Sequence, residues 1–359
     1  VSKIQVSLNI FLLFIVVFLF LKLQLIGALG FGQTPLLDFD TYFQISRDVL
    51  KGLHPYELPY MQTMGPPLVI FPFIPFGFLP LQLGRVIIIW FGLLFSLIAC
   101  KMLTQKTTLA ITLFIFLLTS FPARFTLAMG QPNLIILLLI TYLLTKKDEL
   151  KKGVFLAILV TFKTFFLFSS LALIKRHIGT IKFAFITGLV ITVSSLWILK
   201  PQYYYDYVTK KLAPITLTIN RPANLDYYNQ SLRSTLTRFG LEQYYLFIFL
   251  AALIGSSFYL ILSGDFKSGI LLSILLSPVI WQHYLVMIFP IIVLIGIQLI
   301  KEQKIALLLL YLFGVLCWWI ELPWLQTASH TLVNQTLASH YFISLVIFAY
   351  LSVKLFRSL

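Results

Sequence analysis

Charge is scarce in this chain. Only 11% of its 359 residues are charged, against about 25% in an ordinary soluble domain. Acids are scarcest: 12 Asp and Glu face 27 Lys and Arg, a net charge of +15. Cysteine is almost missing. Cys100 and Cys317 stand far apart in apolar runs with no CxxC. That excludes a disulfide framework and a zinc site, and leaves two buried small hydrophobes. No HExxH, Walker loop, GxSxG or Cys/His cluster occurs, so hydrolase, NTPase and zinc-enzyme readings have no support. A repeat of about 20–50 residues is lacking, which weakens a solenoid reading. No obvious pair of inverted halves is visible, which disfavours many transporter folds. The positive charge does not mark a nucleic-acid binder. Its lysines and arginines sit in short caps between apolar runs, not clustered on one exposed face.

Apolar sequence is what the chain has in excess. Hydrophobic residues make up 59%, with 34 Phe and 17 Tyr, and mean hydropathy is +0.95. Runs such as Ile10–Leu21 and Tyr245–Leu262 are continuous. Barrel strands would alternate at period two, so helices are the reading. The fold class is all-α: a polytopic transmembrane helical bundle forming a single integral membrane domain over residues 1–359.

Charge placement threads the bundle. Lys3 precedes a first span over about residues 7–29, long enough to cross and without a clear cleavage site. A first outer loop (30–83) follows. It is not basic, and its Pro66–Pro80 stretch, rich in proline, reads as a re-entrant or surface segment. Further spans are expected near 84–100, 108–121, 133–145, 180–199, 243–262, 267–280, 284–300, 304–321 and 338–354. Residues 153–174 are expected to form two short helices turning near Thr161–Thr164. A long outer loop takes 200–241. Lys101, Lys106, Lys146–Lys152, Lys175, Lys267, Lys301, Lys304, Lys354 and Arg357 then all fall inside. The count is about 12 membrane crossings with both ends cytoplasmic.

In this threading the polar, non-basic segments all fall on the outer side, and convergent polar groups at a cleft are the default site hypothesis. Asp38, Tyr42 and Ile45 share a helix face at i, i+4, i+7. Asp38 is either a general base at the lip of a cavity or a helix cap. Asp38-Phe-Asp40 also has the form of a DxD metal pair; the preferred reading is no metal. Lys163, inside an apolar run, either meets a phosphate or snorkels. Arg124 offers a cation to a phosphate or a nearby acid. Gln131 and Asn133 either bind hydroxyls or cap the next helix. Asn229, Gln230 and Arg233 lie among tyrosines that suit sugar stacking or an interfacial belt. Asn229-Gln-Ser and Asn334-Gln-Thr also match the N-glycosylation pattern. Trp281 and His283 follow Ser277-Pro278, and His283 either serves a phosphate or proton or is structural.

In order along the chain, these segments resemble a known family. DFDTYFQISRDVLKGLHPYE followed by GPPLVIFPFIPFGFLP resembles the first outer loop of the polyprenyl-phosphate-sugar-dependent glycosyltransferases of family 87. There an Asp-Phe-x-x-Tyr start leads to Gly-x-x-x-Tyr and a Pro-Pro apolar stretch. GQPNLIILLLI resembles the family's Gly-Gln-x-Asn helix opening, Lys163 its intramembrane lysine, and NQSL and SPVIWQHY its later motifs. Two positions depart: Gly65 stands where Tyr usually precedes Pro-Pro, and KTFF lacks the Pro that often follows the lysine. Both bear on the substrate rather than the class.

The resemblance implies a GT-C-like bundle in the plasma membrane with its active site on the extracytoplasmic face. It implies a polyprenyl-phosphate-linked sugar donor, often mannose, a lipid-linked or cell-surface glycan acceptor, and no cofactor or metal. Asp38, or else Asp40, would be the base of an inverting transfer. Lys163, Arg124 and His283 would hold the donor phosphate. Tyr42, Gln131, Asn133, Asn229, Gln230, Arg233 and Trp281 would contact substrate. The rival from another class is a lipid or glycolipid transporter, which needs polar residues reachable from both sides. A third reading is a membrane scaffold, which needs neither Lys163 nor an outer aspartate.

Overall fold

A computed structural model describes residues 36–57, 65–212, 227–322, 325 and 331–356. The expected first span over about 7–29 lies outside these, as do residues 213–226 of the loop expected over 200–241. Regular structure among the described residues is helical throughout. An isolated bridge between Asn229 and Trp281 is the one pairing of extended backbone found there.

The first six α-helices set the site. They are α1 (Leu37–Leu50), α2 (Leu81–Thr104), α3 (Thr107–Thr119), α4 (Phe121–Met129), α5 (Asn133–Thr145) and α6 (Glu149–Phe162). Pro66–Pro80 forms two 3₁₀ turns, Pro67–Val69 and Phe71–Phe78, and no span. Its prolines remove backbone donors, so a continuous helix cannot propagate. The segment wedges under α1 instead: Phe39, Tyr42, Phe43, Val69, Phe73 and Ile88 form one buried cluster. The break expected near Thr161–Thr164 falls at Lys163. Its backbone is extended (φ −143°, ψ 94°) between α6 and a 3₁₀ helix over Thr164–Leu173.

Fewer helices qualify as crossings than the twelve expected. Among the described residues, four are long and apolar enough: α2, Ile178–Ser195, Glu242–Ser263 and Gln282–Glu302. Two bent pairs raise the number to six: α3 with α4, at 71°, and Leu332–Ala338 with His340–Phe356, at 61°. The expected spans at 133–145, 267–280 and 304–321 are the short helices α5, Phe266–Leu275 and Ile305–Trp319, the last of 15 residues. At 1.5 Å per residue even that one covers about 22 Å of a hydrocarbon core about 30 Å thick.

The largest core cluster joins α3–α5 to the C-terminal helices, with Phe121, Phe289, Trp318, Tyr341 and Phe348 inside it. The Trp318 indole N–H donates to Leu285 O at 2.8 Å, which satisfies its one polar atom. Cys100 and Cys317 are both free and buried.

Candidate functional site

Asp38 stands in the first turn of α1, and the turn after α4 places it. Leu36 adopts φ 61°, unusual for a branched residue, and its N–H donates to Ala128 O at 2.7 Å. Gly130 ends α4 at φ 69°. A Cβ there would lie 2.6 Å from Phe39 Cβ. Glycine is thus needed twice, for the left-handed backbone and for the close approach of α1. That approach lets Gln131 Nε2 donate to Asp38 Oδ2 at 2.7 Å. Tyr42 stacks on Phe73, 4.3 Å between centroids and 5° from parallel. Burial pushes the Asp38 carboxyl above its ordinary 3.8, opposed by the Gln131 hydrogen bond and the Lys163 charge. Gly130→Ala is expected to destabilise the fold by about 1–3 kcal/mol and to lower activity by moving α1 off Gln131. A melting curve alongside a transfer assay checks both.

Lys163 reaches the same place from the α6 break. It is 8% exposed, its Nζ lies 3.6 Å from the Tyr284 ring centroid, and it is within electrostatic reach of Asp38. An ammonium over an aromatic face is attracted by the ring quadrupole. His283 comes from a third direction, on the 3₁₀ helix Gln282–Ile288. Its carbonyl accepts from Thr126 Oγ1 at 3.0 Å and from Asn133 Nδ2 at 3.2 Å. Its ring, 4% exposed, meets Phe125 and Tyr284 edge-on. Among the described residues, both ring nitrogens of His283 are buried without a hydrogen-bond partner, as are Gln131 Oε1 and Asn133 Oδ1. Buried polar atoms are normally paired. Four unpaired atoms around one acid and one lysine make a place prepared for a polar ligand.

The remaining candidates sit elsewhere. Asp40, two residues from Asp38 on α1, lies roughly 200° round the helix. It pairs with Arg85, whose Nε donates to Oδ1 at 2.9 Å. The two aspartates therefore have separate partners and do not form a joint DxD pair. Arg124 pairs with Glu321 at 3.4 Å, and Arg233 with Glu242 at 3.7 Å. Asn229 is fully buried. Its Oδ1 accepts from Ser231 N and Ile280 N, so its glycosylation pattern lies inside the fold. Gln230 Nε2 donates to Tyr227 O and Ala338 O. These two residues tie the segment around Tyr227 to Ile280, two residues before Gln282, and to Ala338. Half-buried Trp281 shares the bridge with Asn229.

His54, Glu57 and Asp206 bring three metal-type ligands within 4.8 Å. Asp206 already takes His54 at 2.9 Å and Lys210 at 3.1 Å, and Glu57 is exposed. That group ties the Pro55–Glu57 turn to the helix Pro201–Asp206. Sequence reasoning missed Tyr284 and Arg85. Tyr284 adjoins His283 in a segment that already stood out, which was its one signal. Arg85 gave none.

Apolar helices around a buried polar centre define this molecule as an integral membrane protein. Its class follows from comparison with known families. Residues 64–347 match the family model for glycosyltransferase family 87, and the chain belongs to that family. It is a membrane glycosyltransferase. The match includes Gln131, Lys163 and His283 and begins after Asp38, whose candidacy stands on the geometry above. No curated protein and no solved structure matches the chain.

Proposed function

We propose that this enzyme transfers a hexose, with mannose as the first choice, from a polyprenyl-phosphate donor to a lipid-linked or cell-surface glycan at the outer face of the plasma membrane. The observation that carries the reading is the meeting of Asp38, Lys163 and His283, from three distant segments, around unpaired buried polar atoms. Asp38 accepts the proton of the acceptor hydroxyl. The freed oxygen attacks the anomeric carbon from the face opposite the phosphate. The bond from that carbon to the phosphate oxygen breaks, and configuration inverts. Charge develops on the departing phosphate, where Lys163 supplies a fixed cation and His283 an N–H donor. Gln131 holds the Asp38 carboxylate in place. An isoprenoid tail dissolves in the bilayer beside the exposed apolar helix faces, so no nucleotide-sugar domain is required.

The test is transfer by the purified protein in nanodiscs with EDTA present, comparing polyprenyl-phosphate mannose with a nucleotide-activated mannose. Transfer from the lipid donor alone, with an inverted product, is the expected result. Transfer from the nucleotide sugar alone would overturn the donor, and lipid movement across vesicles without any transfer would favour the transporter.

In this reading both termini are cytoplasmic and the short helices belong to broken crossings that bring the count toward twelve. A single cysteine at Asp148, with Cys100 and Cys317 replaced, should resist an impermeant thiol reagent in intact cells. Labelling from outside would reverse the topology and with it the face assigned to the site.

A further inference from the structure

A cavity of about 170 Å³ lies at the other end of the helices that build the Asp38 centre. Leu143 lines it, ten residues along α5 from Asn133, and so does Lys152, eleven residues along α6 from Lys163. At 1.5 Å per residue the two places are about 15 Å apart along the helix axes. Three cations converge there: Lys152, Arg176 and Lys267, with His177 beside them.

Among the described residues, the acids nearby leave the Lys152 and Lys267 ammoniums without an ion pair. Lys152 is 7% exposed, and its ammonium has no hydrogen bond or ion pair among the described residues. Glu149 is within its electrostatic reach, but that carboxylate pairs with His177 Nδ1 at 3.2 Å. The Lys267 ammonium lies 3.7 Å from the Phe356 ring centroid and has no ion pair among the described residues. Asp265 lines the cavity and is within electrostatic reach of Lys267, while its two oxygens hold the start of the helix Phe266–Leu275. Oδ1 accepts from Lys267 N at 3.1 Å, and Oδ2 from the hydroxyls of Ser268, Ser352 and Tyr259. A buried ammonium left unpaired is costly unless a ligand completes it.

We propose that this cavity binds the phosphate group of an anionic phospholipid, at a site separate from the Asp38 centre. Tetrahedral phosphate oxygens suit two lysine point charges, and the Arg176 guanidinium adds positive charge to the wall. The wall carries the matching apolar part: Leu143, Leu144, Leu173 and Phe356 border the cations, and Leu262, 68% exposed, stands on the adjoining helix end. The basic connections gather at this end of α6, which suits the negatively charged leaflet. The site anchors the basic end of the bundle to the membrane, and no part of it depends on the reaction proposed for Asp38.

Native mass spectrometry of the delipidated full chain tests it, with phosphatidylglycerol, phosphatidylcholine or inorganic phosphate added back. Wild type should retain phosphatidylglycerol in preference to phosphatidylcholine. The double variant Lys152→Gln/Lys267→Gln should retain at least about tenfold less, while exposed Lys147→Gln matches wild type. Lys152→Arg keeps the charge and should keep the lipid, which separates lost charge from lost packing if the double variant melts early. Equal retention by wild type and the double variant would overturn the site. Binding of inorganic phosphate with no preference among lipids would overturn the lipid assignment.

Discussion

Asp38→Asn is expected to lower sugar transfer by about 10²–10⁴-fold, the usual worth of a positioned general base, while folding and donor binding stay near wild type. Asn keeps the shape, and its side-chain oxygen still accepts the Gln131 amide that now holds Oδ2 at 2.7 Å. What it loses is the ability to take the acceptor proton. The pH profile carries an independent signature. Burial raises the Asp38 carboxyl above 3.8, and the protonated acid cannot act as a base. Wild-type transfer should therefore decline on the acid side at a pH above that of an ordinary carboxylate. The Lys163 charge opposes this rise, so any residual activity of Lys163→Met should fall away at a still higher pH. Asp40→Asn breaks a half-exposed pair with Arg85, of a kind commonly worth about 0–1 kcal/mol, and should cost little activity. If Asp40→Asn abolishes transfer and Asp38→Asn does not, the base is the other carboxylate. If neither matters, the mechanism fails.

Lys163→Met should weaken donor binding and slow turnover together. Hydrogen bonds to charged groups contribute about 1.5–3 kcal/mol, a factor of about 10–150 in affinity. A further loss in turnover is expected because the departing phosphate gains charge in the transition state. Met keeps the apolar stem in the run that ends α6 and removes only the ammonium, so the bundle should persist. Lys163→Arg should rescue in part: a guanidinium can stack on the Tyr284 ring, but its fork is wider than the ammonium it replaces. The measurement is affinity for polyprenyl-phosphate sugar in nanodiscs, with turnover alongside. Equal affinity and equal turnover would reduce Lys163 to a cation snorkelling from an apolar run.

Much of the fold was legible before the structure. Continuous apolar runs located α2, α5 and the helices at Ile178–Ser195 and Glu242–Ser263 within a few residues. Proline spacing kept Pro66–Pro80 from being counted as a span. The one lysine in the 153–174 apolar run stands at the break that divides it. These are local properties, set by hydropathy over a turn or two and by missing backbone donors. Crossing number was less legible. A 71° bend between α3 and α4 leaves no mark in hydropathy, because Ser120, Phe121 and Pro122 begin a helix as naturally as they continue an apolar run.

The site divides along the same line. Sequence alone determined which residue types have chemistry to offer and in what order they occur along the chain: an early aspartate pair, a GQPN turn, a lysine in an apolar run and a late histidine. Only the tertiary structure decided which of them meet. Asp38 and Asp40 are two residues apart, yet one faces Gln131, 93 residues on, and the other Arg85, 45 residues on. Arg124 is matched by Glu321 across 197 residues, and Asn229 and Gln230 brace backbone. A charge in a bundle of low dielectric takes the partner that packing brings within a few ångströms. That choice depends on how helices far apart in the chain cross, and no local pattern encodes it.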